Sequence, residues 1–420
     1  MFQRLRNALA ARPRGRKGAR VLDLPMFAFA CGGEPIWSPR DYAALARLGY
    51  GANPVAFRAV RMIAEAAASV PWLLYDRSAE IEDHPLLALL KRPNSFTDGT
   101  SLFEAWYSHL LIAGNAYLEA AAIDGEVKAL YALRPDRVRV VPGDRGWPES
   151  YQYTVGGETI TYNQTGVGFS PILHLALFHP LDDHYGMSGL EAAARAIDIH
   201  NASSAWSKAL LDNAARPSGA LVYRGEGLGH LPKEQFDRLK RELEDSFSGA
   251  LNAGRPMLLE GNLDWKALSL TPQDMDFLNA KNTAAREIAL ALGVPPMLLG
   301  IPGDNTYANY KEANVSFWRQ SVIPLAAKMA RALSGWLAPL YGPNLHFELD
   351  LDLVPALSAE RDALWARVEG ASFLSDAEKR EAVGYSAQAR TAEPSSNLKG
   401  DPALAKQRYP LHRVRDDAAK

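Results

Sequence analysis

The sequence predicts an α+β fold in which a mixed αβ region is followed by long helices carrying a small αβ insert. Three observations carry this. Up to about residue 180, short apolar or alternating runs sit between helical stripes. Two helical patterns, 188–213 and 272–292, then bracket a compact stretch of short strands. Finally, the Gly/Pro/Asn-rich run GVPPMLLGIPGDNTYANY, Gly293 to Tyr310, separates the second of these helices from a third and longer one.

The elements follow in order. Asn53 before Pro54 places a cap ahead of a first-turn proline, and Val60, Ile63 and Ala67 continue an apolar stripe to Pro71. A strand, Trp72 to Tyr75, follows. Ser101 and Glu104 read as a capping box opening a helix over 102–112, ended by Gly114 and Asn115. Residues 116–123, 127–132, 138–141, 151–155 and 172–177 read as strands.

From Ser188 to Asn213 one Ala-rich helix is expected, with Leu190, Ala194, Ile197, Ala205 and Leu210 near one face, stopped by Pro217 and Gly219. The insert reads as a strand over 220–223, a helix over 232–247 and strands over 256–260 and 265–268. Thr271, Pro272 and Asp274 open the next helix, which runs to Leu292. Short linkers on both sides make this a stalk with a small head.

Proline pairs and Pro-Gly steps end helices, so the chain must halt after Leu292, loop out and restart. The restart runs from Tyr307 to Leu337, a rod of roughly 45 Å with Pro324 expected to kink it. LHFELDLDLV then alternates strictly, with Phe347, Leu349, Leu351 and Leu353 on one face and His346, Glu348, Asp350 and Asp352 opposite. Helices over 358–368 and 376–383 close the pattern, the second opened by a Ser375/Glu378 capping box.

The totals set limits. With 420 residues, 47% hydrophobic, the chain can build two or three folding units. A formal net charge of -2 leaves no excess of cations for tight neutralisation of nucleic-acid phosphates, so any DNA contact should be loose. The single cysteine, Cys31, excludes an intrachain disulfide framework and a Cys-based zinc cluster, and reads as a small buried or loop residue. The first twenty residues are Arg-rich without acids; a transit peptide is the alternative to the favoured reading, a basic arm. No run approaches the roughly 20 apolar residues needed to span a bilayer, which predicts a soluble protein without a secretory route or membrane contact. The tail after Gly384 lacks apolar period.

Enzyme signatures are absent: there is no GxxxxGK[ST], HExxH, GxSxG or CxxC, and the serine of GMSG at 186–189 has the wrong glycine spacing for a nucleophile elbow. The strongest catalytic alternative is a metal-dependent hydrolase or nuclease using Glu348, Asp350 and Asp352, set against a solvated edge strand of an antiparallel sheet. Asp182, Asp183 and His184 read as a loop before a helix. Trp206, Trp318 and Trp336 read as packing anchors rather than base-stacking platforms.

The segments NPVAFRAVRMIAEAAASVPW, HPLLALLKRPNSFTDGTSLFEAW, LLIAGNAYLE, ALRPDRVRVV, YGMSGLEAA, RPSGAL and ALGVPPMLLGIPGDNTYANYKEAN stand in this order over roughly residues 50 to 350. In order and spacing they resemble the portal proteins of tailed phages, in the family named after phage HK97, whose relatives include gene transfer agent portals. The resemblance implies a portal fold and a dodecameric ring at one capsid vertex, a structural protein without catalytic residue, cofactor or metal. It would be the channel for packaging and ejection of double-stranded DNA and the head-tail connector. Implied partners are further copies of the chain, the DNA, the large terminase, the head-completion adaptor and the major capsid protein. The implied setting is a virion or phage-like particle, with assembly in the bacterial host cytoplasm.

Mapped on this sequence, the resemblance implies a basic arm over 1–25, an αβ wing over 26–187, a first stem helix over 188–213, and a clip over 214–271. A second stem helix over 272–293, a tunnel loop over 294–309, the wing's long helix and strand over 310–354, a short crown over 355–385 and a tail over 386–420 complete it. Gly303, Asp304, Asn305, Thr306 and Tyr307 would face DNA. Lys281, Asn282 and Arg286 are candidate channel contacts, with solvation or an intersubunit ion pair as alternatives. Arg224, Glu226, Lys233, Arg238 and Arg241 would lie on the clip, where terminase and adaptor dock. The chain departs from the family in its short crown and in GMSGL at 186–190, where many relatives have a proline near Gly189.

A conduit for a sliding polyanion must avoid deep cationic wells, because phosphate contacts add affinity through counterion release. Between Gly293 and Tyr310 the chain carries one acid, Asp304, and no Lys or Arg. Ring closure also needs a heterologous interface. Met275, Leu278, Ala285, Ala289 and Leu292 are expected to form the inner seam of the second stem helix, leaving Asp274, Asn282 and Arg286 for a lumen or a neighbour.

Overall fold

The computed structural model describes residues 35–164, 169–212, 219–223, 233–234, 237–238, 241, 263–267, 277–303 and 306–384. All but 35–37 belong to one compact unit that begins at Ser38.

After a short helical entry at 42–51, α1 (Pro54–Ser69) starts where the Asn53 side chain accepts from the amides of Val55 and Ala56, as the Asn-Pro pair predicts. Its face of Ala56, Ala59, Val60, Ile63, Ala64 and Ala67 is buried. Small residues let it lie close along α3 (Gly99–Ala113), which contributes Leu102, Phe103, Trp106 and Leu110. The cap of α3 is Asp98, not Ser101: its carboxylate accepts from the Ser101 amide at 2.7 Å, so the helix begins three residues earlier than expected. Gly99 at its start abuts the chain before it; a β-carbon there would meet the Leu90 carbonyl oxygen at 2.1 Å. Between them lie β1 (Trp72–Asp76), β2 (Ala79–Ile81) and α2 (Pro85–Lys91); the last two escaped the sequence reading because each is under two turns or repeats long.

Two small antiparallel sheets follow. β3 (Asn115–Ile123) pairs with β4 (Glu126–Leu133) and with β8 (Ile172–Ala176). β5 (Val138–Pro142), β6 (Pro148–Val155) and β7 (Glu158–Asn163) form a meander. β7 was not anticipated, because it is short and mostly exposed, with only Ile160 and Tyr162 as apolar signal. Tyr117, Leu133, Val138, Val140, Tyr151 and Ile172 form a core of their own between these sheets.

The expected first stem helix is broken at Ala193 into α4 (Gly189–Ala192) and α5 (Ala194–Asp212). Leu190, Ala194 and Ile197 are buried as predicted, whereas Ala205 is exposed. In the insert, β9 (Gly219–Tyr223) pairs with β10 (Leu263–Ala267) antiparallel. The expected strand over 256–260, most of the helix over 232–247 and the opening at 271–274 lie outside the described residues, as do Cys31, the basic arm and the tail.

α6 (Phe277–Ala291) packs along α5 and buries Ala284, Ala285, Ile288, Ala289 and Leu292. Leu278, expected in that seam, is 72% exposed: the apolar stripe of α6 starts a turn later. Met275 is outside the described residues.

The long rod is α7 (Tyr307–Phe317) and α8 (Ile323–Trp336), joined by a π-helical turn, Trp318–Val322. Pro324 supplies the cause, since it has no amide to donate and its ring would crowd the carbonyl four residues back. Lys328 reaches across to donate to the Ala176 carbonyl at 3.0 Å, and Trp336 donates to the Ser170 carbonyl at 2.7 Å while stacking on Phe169, the anchoring role expected of it.

β11 (Leu345–Leu349) pairs with β1 as the edge of the order β11-β1-β2. The edge-strand reading holds but the strand is shorter than its alternation suggested. Leu351 and Leu353 lie beyond it and are exposed. α9 (Ser358–Glu369) and α10 (Asp376–Ala382) end the described chain, α10 with the capping box predicted for Ser375 and Glu378. No helix among the described residues is long and apolar enough to cross a membrane.

Candidate functional site

The candidate site is the loop between α6 and α7, and its geometry follows from how α6 stops. Gly293 adopts φ +69°, the left-handed conformation that costs glycine least. The amides of Gly293 and Val294 return to the carbonyls of Leu290 and Ala289, at 3.0 and 2.9 Å, closing a double C-terminal cap. The buried Val294 completes it with the apolar contact such caps favour. From the π-helical turn before α8, Ser321 Oγ donates to the Gly293 carbonyl at 2.5 Å.

Pro295 and Pro296 then set a short 3₁₀ turn, Pro296–Leu299, capped by Gly300 at φ +71°. The Ile301 amide returns to the Pro296 carbonyl at 3.2 Å, repeating the same device. Ile301 is buried against Ala285 and Ala289 of α6, with Val55 and Leu299 beside it. One residue on, Arg286 of α6 donates from Nη2 to the carbonyl of Pro302. The loop ends where Thr306 caps α7, its Oγ1 accepting from the Asn309 amide at 3.2 Å. A groove of about 360 Å³ opens under the loop between Arg286, Pro295, Pro296 and Asn309.

The loop's base is therefore clamped at Gly293, Ile301 and Pro302, and its tip lies between Gly303 and Thr306. Of the expected tip residues, Gly303 and Thr306 are exposed, Tyr307 is the first residue of α7, and Asp304 and Asn305 lie outside the described residues. Ile301 and Ser321 were missed. A lone isoleucine between Gly300 and Pro302 and a serine three residues before Pro324 carry no periodic signal.

The other candidates separate. Lys281 is half-buried and faces α5: its charge, after burial, helps hold the His200 imidazole below its ordinary pKa. Asn282 is half-buried and Arg286 exposed. Around His200, Asn53 Nδ2 donates to the imidazole Nδ1 at 3.2 Å and to Asn201 Oδ1 at 3.0 Å, tying α1 to α5. Lys233, Arg238 and Arg241 are exposed and helical, whereas Arg224 and Glu226 lie outside the described residues.

Glu348, Asp350 and Asp352 do not share a strand face, because β11 stops at Leu349. Asp350 Oδ1 accepts from the Asp352 amide at 3.0 Å, a local turn, and Asp352 is drawn to Arg361 at 3.7 Å. Among the described residues no group of three or more His, Cys, Asp or Glu side chains converges as a metal site. Asp182 likewise spends its carboxylate on the amides of His184 and Tyr185, at 2.8 and 2.9 Å, the loop arrangement expected for it.

Comparison with known proteins adds to this geometry. A family model described as phage portal protein matches residues 54–384. The portal protein of Enterobacteria phage HK97 is 25% identical over 324 residues, 73% of this chain and 72% of its own. Among solved structures, a chain from the neck of an empty gene transfer agent particle, computed with C6 symmetry, is 53% identical with a TM-score of 0.67, over 85% of this chain and 97% of its own. One from the neck of the native particle, computed with C12 symmetry, is 52% identical with a TM-score of 0.65, over 84% and 96%.

Proposed function

The chain belongs to the phage portal protein family, a structural and non-enzymatic family, and from that premise we propose that twelve copies close into a ring around a channel for double-stranded DNA. It is a portal protein of a capsid vertex. The observation that carries the ring is the 52% identity, over 84% of the chain, to a neck component imaged with C12 symmetry. The same likeness favours a gene transfer agent over an infectious phage as the particle.

On this reading α5 and α6 are stem helices and the loop at 294–309 projects into the bore. The clamped base supports it: a finger rubbed by moving DNA must be stiff at its root. So does its charge, with one acid and no Lys or Arg from Gly293 to Tyr310. Such a finger excludes the duplex sterically without binding it, since binding would come chiefly from cation-phosphate contacts. The insert that carries Lys233, Arg238 and Arg241 is the clip, facing first the large terminase and then the head-completion adaptor. The major capsid protein would surround the wing, and assembly would take place in the host cytoplasm.

The test is electron microscopy of the purified chain viewed end on, together with deletion of 303–306. Twelvefold rings with residue 303 nearest the axis, and loss of DNA packaging in the deletion, are the expected results. Rings with residue 303 on the outer rim would overturn the reading.

A further inference from the structure

We propose that Arg286 is a latch that fixes the tunnel loop to the second stem helix, its guanidinium holding protein rather than DNA phosphate. The inference rests on the channel reading above. It deepens it by assigning a positioning role to a cation that otherwise counts as a channel contact.

Two features of one contact point to it. The first is the donor geometry. Ile301 seats the loop on Ala285 and Ala289, and Arg286, on the next position of the same helix, arches over it so that Nη2 donates to the Pro302 carbonyl. That carbonyl is the last acceptor before the tip. The second is the space left for the guanidinium. A β-carbon on Gly303 would stand 2.7 Å from Nη2, while Gly303 is not among the residues of positive φ. The space beside Gly303 that a side chain would enter is therefore filled by the end of the Arg286 side chain, which a larger residue would have to push aside.

A guanidinium engaged this way bridges helix and loop. It also turns the cation nearest the tip toward the chain's own backbone, as a low-friction bore needs. Removing the side chain frees the tip, while adding a methyl group at 303 crowds the guanidinium without removing its charge. The two changes separate a latch from a phosphate contact.

The experiment uses the full-length chain with Cys31→Ser and Asn305→Cys, the new thiol carrying a nitroxide, assembled as rings. Its spectrum and the salt dependence of binding to a linear DNA duplex are recorded for Arg286→Ala and Gly303→Ala. A latch predicts that Arg286→Ala mobilises the nitroxide, that Gly303→Ala mobilises it no more than Arg286→Ala does, and that both leave the slope of log affinity against log salt unchanged. An immobile nitroxide in Arg286→Ala overturns the proposal. So does a fall of about one in that slope for Arg286→Ala but not Gly303→Ala, which would make Arg286 a phosphate contact. Deleting 303–306 tests the channel reading separately: packaging at the parental level would sink that reading, while the nitroxide spectra judge the latch alone.

Discussion

Gly114 and Gly186 cross so closely that neither has room for a side chain: a β-carbon on Gly114 would lie 2.3 Å from the Gly186 carbonyl oxygen, and one on Gly186 would lie 2.2 Å from that of Gly114. The Leu177 amide donates to Gly114 at 2.8 Å, and Asn115 Oδ1 accepts from Gly186 at 2.8 Å, so the end of α3, β8 and the approach to α4 are bound at one point. Gly186→Ala is expected to cost about 3 kcal/mol through backbone overlap. Gly114→Ala, at φ +73°, should cost about 1 kcal/mol more for its left-handed backbone. Thermal or urea unfolding checks both; a loss under about 0.5 kcal/mol in either would contradict the crossing.

Beside this crossing, His174 stacks on Tyr117 with centroids 4.3 Å apart, and its Nε2 donates to Asn115 Oδ1 at 3.1 Å. Its Nδ1 accepts from the Tyr151 hydroxyl at 3.4 Å, which leaves the proton on Nε2. Burial pushes its pKa down to about 4, with the His184 charge a smaller contribution. His109 is pushed down to about 4 by burial and then by Arg134. Both folded values lie below the unfolded one, so the unfolded chain binds more protons and stability, full above about pH 6.5, declines as the pH falls toward 4. At pH 5 the loss should be about 2 kcal/mol per histidine. Urea midpoints compared at pH 7.5 and pH 5 measure it, and His174→Gln should remove about half of the difference. A flat profile would contradict the burial argument.

How much of this the sequence disclosed depends on how locally each feature is encoded. The Asn53-Pro54 start, the Ser375/Glu378 box and the stop at Gly114 were legible because capping acts over four residues and uses few residue types. Placing the cap of α3 at Ser101 failed because Asp98, three residues earlier, is an equally good acceptor, and only packing against Leu90 decides between them. The exposed Leu278 was illegible for a related reason: burial there is set by neighbours distant in sequence. The loop at 293–310 announced itself through Pro and Gly, but its fastening did not. Ile301, Ser321 and the Arg286–Pro302 bond are tertiary pairings that no periodicity records.

Gly293 and Ser321 should be energetically coupled. A β-carbon on Gly293 would sit 2.8 Å from Ser321 Oγ, the same atom that donates to the Gly293 carbonyl. Ser321→Ala alone should cost about 1 kcal/mol for the lost hydrogen bond. Gly293→Ala should cost about 2–3 kcal/mol in the parent, combining left-handed strain with the collision, and about 1 kcal/mol less in the Ser321→Ala background. A double-mutant cycle by urea unfolding reads the difference. Strict additivity would mean that the two residues do not meet.

The carboxylates of the β11 segment should prove indifferent to metal. Glu348 is exposed at the end of an edge strand and pairs with His346 at 3.5 Å, while Asp350 is engaged by a backbone amide and Asp352 lies toward Arg361. A divalent cation of the hard, oxygen-seeking kind needs several oxygens held about 2.0–2.6 Å from one point, and separate local partners pull these three apart. Millimolar Mg²⁺ or Mn²⁺ should therefore leave the unfolding temperature unchanged, since a ligand stabilises only a state that binds it. Asp350→Ala should cost no more than about 1 kcal/mol, the worth of one exposed turn, and should leave incubated double-stranded DNA intact with or without the ions. Metal-dependent cleavage by the parent chain that disappears in Asp350→Ala would instead place a nuclease on this edge and overturn the purely structural assignment.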